Sequence, residues 1–311
     1  MRGNQVESSK FSSAWIWHKR SREIMNLENY LKRKKRIIEK ALNGYLPSAK
    51  NRPVPLHQAM RYSVFTGGKR LRPILAIASF ELVKGRGNAI LPAACALELI
   101  HTYSLIHDDL PCMDDDDLRR GKPTLHKVFG DGMAVLAGDA LHALAFELLS
   151  KSKNPNLISE IAREIGTYGM VGGQAADLQA EGKKVTISQV NFIHSHKTGA
   201  LIKTSVRAGA VLGGAKGKKL KALTCYGEKF GLAFQIIDDI LDATGKTEKL
   251  GKRSKADQSK GKATYPKISG VGKSKKIARK LLEEAKAELK IFTDDEQILK
   301  ELADYMIERM D

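Results

Sequence analysis

The chain has 311 residues, 42% of them apolar, and a formal net charge of +18. That is enough apolar material for a large core in one domain or two. Cys95, Cys112 and Cys225 are odd in number and lack CxxC spacing, which argues against a disulfide framework or a zinc site and fits a reducing cytoplasm.

The charge alone would suit nucleic acid or an anionic surface. No zinc finger, RNP-like aromatic pattern or basic zipper accompanies it, so no nucleic-acid role is expected.

Residues 1–24 lack apolar periodicity and carry scattered Ser, Arg and Lys. They read as an extension, disordered or translated from a misassigned start, with Met25 as the true one. A transit peptide is the other reading, weakened by Glu7 and Glu23. Leu27, Leu31, Ile38 and Leu42 then recur at helical spacing, and no Pro/Gly/Ser-rich linker follows, so 25–311 is read as one domain. Helices are predicted near 26–43, 54–65, 69–84, 88–110, 131–150, 155–180, 188–213, 217–243, 271–291 and 295–309. The only alternating β-branched stretch is 184–187, where Ser188 reads as the cap of the next helix. The expected fold is therefore all-α. Two longer polar segments, 115–130 and 244–270, are candidate lids. The best apolar stretch, 89–106, is interrupted by Glu98 and His101, so a soluble protein with no membrane span is expected.

Two acidic clusters carry the chemistry: Asp108-Asp109-Leu110-Pro111-Cys112-Met113-Asp114 and Asp238-Asp239-Ile240-Leu241-Asp242. The 0, +1, +4 spacing of the second puts Asp238 and Asp242 on one helical face, where two carboxylates can share an ion. Such sites suit Mg²⁺, which completes its shell with water and phosphate oxygens. A solvated helix face is the bland alternative, but both clusters end apolar stretches where unpartnered carboxylates would repel and lose hydration. Six residues of ideal helix would place Asp108 and Asp114 about 240° apart. A bulge or helix end at Pro111 is therefore predicted.

Basic residues surround these clusters in sequence. Gly67-Gly68-Lys69-Arg70-Leu71-Arg72-Pro73 places glycines and cations at a helix start, where free N–H groups favour an anion. It is not a Walker A loop, because Ser63 and Arg70 occupy required positions. His101 lies two turns before Asp108 on nearly the same face. Arg119, Arg120, Lys197, Thr198, Lys252 and Lys262 complete the set, while His194-Ser195-His196 is assigned no role.

These residues resemble the trans-isoprenyl diphosphate synthases, among them the short-chain farnesyl and geranylgeranyl diphosphate synthases. The resemblance covers about 27–311 and rests on Gly67 to Pro73, Asp108 to Gly121, Gly173-Gln174-Ala175-Ala176-Asp177, Lys197-Thr198-Gly199, and Phe234-Gln235 through Asp242. It implies an all-helical prenyltransferase fold, a homodimer, and three Mg²⁺ held by Asp108, Asp114, Asp238 and Asp242. It further implies an allylic diphosphate bound by Arg119, Lys197, Thr198, Gln235, Lys252 and Lys262. Isopentenyl diphosphate would sit on Lys69, Arg72, His101 and Arg120. Tyr103, with Ser104 beside it, lies about 7.5 Å below Asp108 along the helix and resembles a fifteen-carbon stop. Farnesyl diphosphate is the expected product and geranylgeranyl diphosphate the alternative. A non-catalytic subunit typically loses one aspartate motif, and class I cyclases lack the Gly-Gly-Lys-x-x-Arg-Pro segment, so both are more remote.

Overall fold

The computed structural model describes residues 10–245, 262–292 and 297–310. Lys252 lies outside them. The described residues are mostly helical, in the order α1 (Lys10–Tyr45), α2 (Val54–Phe65), α3 (Leu71–Leu82) and α4 (Leu91–Asp108), then a two-stranded hairpin, β1 (Leu118–Arg119) and β2 (Lys122–Pro123). It continues through α5 (Leu125–Phe129), α6 (Asp131–Ser150), α7 (Pro155–Ile165), α8 (Met170–Ala180), α9 (Ile187–Ile193), a π-helical turn (His194–Gly199), α10 (Ala200–Leu212) and α11 (Gly217–Ala243). The described C-terminal part holds α12 (Tyr265–Ser269), α13 (Val271–Glu288) with a 3₁₀ turn after it, and α14 (Gln297–Glu308).

Leu27, Ile38 and Leu42 of α1 are buried at helical spacing, as the periodicity predicts, while Leu31 is half-buried against the core and Tyr30 is buried beside them. Helices α3, α4 and α10 are apolar on nearly every side and form the middle of the molecule. Gly209 of α10 lies so close to the Ala76 carbonyl of α3 that a Cβ would collide with it. Gly138 of α6 likewise leaves room for the His107 ring of α4. These two glycines set close helix approaches, α10 to α3 and α6 to α4. Among the described residues α6 is the one helix whose length and composition would suit a membrane crossing, yet it packs along α4.

The predicted all-α class holds, with four local departures. The predicted helix 155–180 breaks between Ile165 and Met170, where Gly166 and Gly169 let the chain turn against the backbone of Glu164. The predicted helix 188–213 contains a π turn at its centre. Its cap is Thr186, not Ser188: Thr186 and Gln189 form a reciprocal capping box, which starts α9 at Ile187. Finally, the segment 115–130 holds a hairpin and α5.

Candidate active site

Both acidic clusters lie at helix C-termini, α4 ending at Asp108 and α11 at Ala243. The dipole is negative there, so carboxylates are disfavoured and need compensating charge. From Asp108 to Asp114 the chain leaves the helix, as predicted. The Asp114 N–H donates to the Asp108 carbonyl at 2.8 Å, and the Met113 N–H to Leu110 at 2.9 Å. Asp115 then turns with φ +49°. This fold-back brings Asp108 and Asp114 to one side of a cavity of about 380 Å³, which Asp238 and Asp242 also border.

Burial pushes the Asp108 carboxyl above its usual range; Lys197 opposes the shift and the neighbouring Asp114 adds to it. Lys262 Nζ lies 2.9 Å from Asp114 and 3.8 Å from Asp177. Lys197 Nζ donates to Asp177 at 2.6 Å. Asp177 is buried and bridges both lysines, a role that sequence reasoning missed although Asp177 ends a quoted motif. The donors around the cavity are oxygens, which suits Mg²⁺. Among the described residues no three carboxylates or histidines converge as a closed metal cage. An ion here would take one or two carboxylates and finish its shell from water or a bound diphosphate.

On the basic side, Arg72, His101 and Arg120 line the cavity. The Arg72 Nε is buried without a hydrogen-bond partner, an orphan donor that an anion would satisfy. Burial also brings the Arg72 pKa down to about 10. His101 is held well below its ordinary value by burial and by Arg72, Arg120 and Arg119, so it is neutral at pH 7.

Arg120 (φ +54°) and Gly121 (φ +75°) form the two-residue turn between β1 and β2. A non-glycine residue in this conformation costs on the order of 1 kcal/mol or more. That turn lays the Arg120 guanidinium over Gly68, where a Cβ would come within 2.7 Å of Nη1. Arg120 also donates to the Gly67 carbonyl. The two glycines thus seat an arginine.

Arg70 is buried, donating to Glu98 at 2.8 Å and to the Val64 carbonyl at 2.7 Å, so this cation of the motif braces the loop. Lys69 is exposed and is not among the residues lining the cavity. Partial desolvation by the surrounding chain nevertheless lowers its pKa, with Arg309 lowering it further and Asp238 opposing. Arg309 Nη2 lies 3.6 Å from Asp238, a neighbour that nothing in the sequence pattern indicated.

Opposite, Lys197 and Thr198 project from the π turn. Glycines allow this packing: a Cβ on Gly173 would strike the Lys197 backbone nitrogen, and one on Gly231 would sit 2.9 Å from the Gly199 Cα. Thr198 donates to Gln235 at 2.7 Å, and Gln235 to Asp239 at 3.0 Å. Arg119 Nε contacts both Asp109 oxygens at 2.8 Å. Burial, the largest influence, would lower the Arg119 pKa, but the bond to Asp109 and the charges of Asp109, Asp116 and Asp108 together outweigh it and the net shift is upward. The second aspartate of each cluster, Asp109 and Asp239, is thus a buried anchor for other site residues.

Ser104 lines the cavity, whereas Tyr103 lies in the seam between α4 and α6, its ring 4.7 Å from that of His142. Burial, with Asp108 nearby, pushes the Tyr103 hydroxyl up to about 12.

The polyprenyl synthetase family profile matches residues 53–306. A geranylgeranyl diphosphate synthase from Cyanophora paradoxa is 48% identical over 292 residues, covering 91% of this chain and 97% of that protein. A farnesyl diphosphate synthase from Geobacillus stearothermophilus is 48% identical over 264 residues, 82% of this chain and 88% of the relative. The crystal structure of an FPP/GFPP synthase from Zymomonas mobilis superposes with a TM-score of 0.80 at 40% identity, covering 91% of this chain and 99% of that one. Aspartate clusters, basic walls and these likenesses agree: the chain belongs to the polyprenyl synthetase family.

Proposed function

We propose that this short-chain prenyltransferase condenses isopentenyl diphosphate head to tail with dimethylallyl or geranyl diphosphate, and that its main product is farnesyl diphosphate. The observation that carries this reading is the single cavity bordered by Asp108, Asp114, Asp238 and Asp242 and flanked by Arg72, Arg120, Lys197 and Lys262. Two diphosphates call for these cations, and the facing aspartates call for metal ions that would offset their charge.

Asp108, Asp114, Asp238 and Asp242 would hold Mg²⁺, with three ions expected from the family resemblance. When bound, the metal neutralises charge that builds on the diphosphate as the allylic C–O bond breaks. Lys197, Thr198, Gln235, Arg119 and Lys262 bind and orient that diphosphate. Arg72, Arg120 and neutral His101 hold isopentenyl diphosphate, with Lys69 at the rim. The C–O electron pair leaves with the diphosphate, the isopentenyl double bond supplies the new C–C bond, and the lost proton passes to the released diphosphate. No histidine base is needed: His194 is turned onto Asp239, and His101 lies among arginines.

For product length, the support for fifteen carbons is the Tyr103 ring, backed by His142 below Asp108. The geranylgeranyl alternative draws on the Cyanophora relative and on the small Ser104 in the cavity wall. A homodimer is proposed because α6 leaves Val135 and Leu136 exposed, apolar surface that a second copy would cover. The three free thiols fit the cytoplasm.

Diphosphate release tests the reaction class. Release that requires both substrates is expected. Release from an allylic diphosphate alone would indicate a cyclase, and no release a non-catalytic subunit.

A further inference from the structure

We infer that Tyr265 is a positioning residue: with Asn191, His194 and Asp239 it forms a clasp that fixes Lys262 beside the first carboxylate cluster and so sets the site's affinity for a diphosphate. The inference rests on the diphosphate reading above and assigns to Tyr265 a task outside the binding residues themselves.

Tyr265 is held at three points. Its backbone N–H donates to Asp239 Oδ2 at 3.0 Å. Its ring stacks on His194, with centroids 5.6 Å apart and planes 19° from parallel. Its hydroxyl donates to the Asn191 side-chain oxygen. The clasp closes on itself, because His194 Nε2 approaches the same Asp239 oxygen at 3.4 Å, while the other Asp239 oxygen accepts from Gln235. Both Tyr265 and Asp239 are 2% exposed. Thus α9, the π turn, α11 and the start of α12 meet at one buried carboxylate.

The consequence falls on the three residues before Tyr265. Thr264 is extended (φ −120°, ψ 154°) and Ala263 is buried. From this fixed base the chain reaches Lys262, whose Nζ stands between Asp114 and Asp177. Residues 262–264 all line the cavity. A stretch of three residues spans about 10 Å when extended, so the position of Tyr265 dictates where the lysine can stand. Ordering it before ligand arrives removes an entropy cost that binding would otherwise bear.

A purely structural role for Tyr265 makes a different prediction, and a double-mutant cycle separates the two. The readout is calorimetric binding of inorganic pyrophosphate with Mg²⁺ to the full chain, with a thermal melt for each variant. Tyr265→Ala is expected to weaken binding about tenfold in the native background but less than about twofold in a Lys262→Met background. Tyr265→Phe, which keeps ring and backbone, should weaken it about threefold and fold normally. Equal losses with and without Lys262, or native affinity in both Tyr265 variants, would overturn the clasp alone. Absence of pyrophosphate binding to the native protein would overturn the diphosphate reading and the clasp together.

Discussion

The backbone N–H of Asp114 donates to the carbonyl of Asp108 at 2.8 Å, across six residues and past Pro111. That bond brings together two carboxylates that a straight helix would set on different faces. Only the folded-back register puts Asp114 on the cavity, while Asp117 lies outside it, 63% exposed and paired with Lys127. Asp114→Asn is therefore expected to lower kcat/KM about a hundredfold or more, a loss of roughly 3 kcal/mol in transition-state stabilisation. Asp117→Asn should stay within about twofold, and steady-state diphosphate release measures both.

Tyr103→Ala is expected to shift the product from fifteen toward twenty carbons. The substitution empties the seam in which the Tyr103 ring meets His142 and opens the wall beside Ser104. Chromatography of the dephosphorylated alcohols reads the distribution. An unchanged length would show that Tyr103 is an ordinary core aromatic.

His194 makes an acid-sensitivity test. Burial depresses its pKa to about 4, below an unfolded value of about 6.5. A depressed histidine contributes stability that is fully present above pH 6.5 and is lost as the pH falls toward 4. The contribution is on the order of 3 kcal/mol at most. His194→Gln should therefore flatten the fall in unfolding midpoint across that window, as thermal melts at closely spaced pH values would show.

Gly173→Ala should place a methyl group against the Lys197 backbone and cost about 2 kcal/mol or more, with a raised KM for the allylic substrate. Gly44→Ala is the control. A Cβ there meets nothing within 4 Å, and in α1 alanine should stabilise by about 0.5–1 kcal/mol. Urea unfolding compares the two.

What the sequence made legible was whatever local periodicity and spacing determine. Helical repeats marked α2, α6 and α11, and the proline inside the first cluster marked the end of α4. The shared face of Asp238 and Asp242 followed from their spacing alone. Features set by long-range packing escaped. Arg309 approaches Asp238 through the docking of α14, and Asp177 meets Lys197 and Lys262 from three separate elements. The inward turn of Arg70 onto Glu98 belongs to the same class, since nothing local separates a bracing arginine from a ligand-binding one. The hairpin at Arg120-Gly121 had only Gly121 as a local signal, because an arginine in the first turn position takes a positive φ that its side chain disfavours.

The most direct measurement is product formation from labelled isopentenyl diphosphate and geranyl diphosphate, with Mg²⁺ and again with a chelator, followed by sizing of the dephosphorylated alcohols. The expected result is a fifteen-carbon alcohol that requires Mg²⁺ and disappears in Asp108→Asn and Asp238→Asn. No chain-extended product with Mg²⁺, or an undiminished yield from those two variants, would contradict the assignment of the paired aspartate clusters.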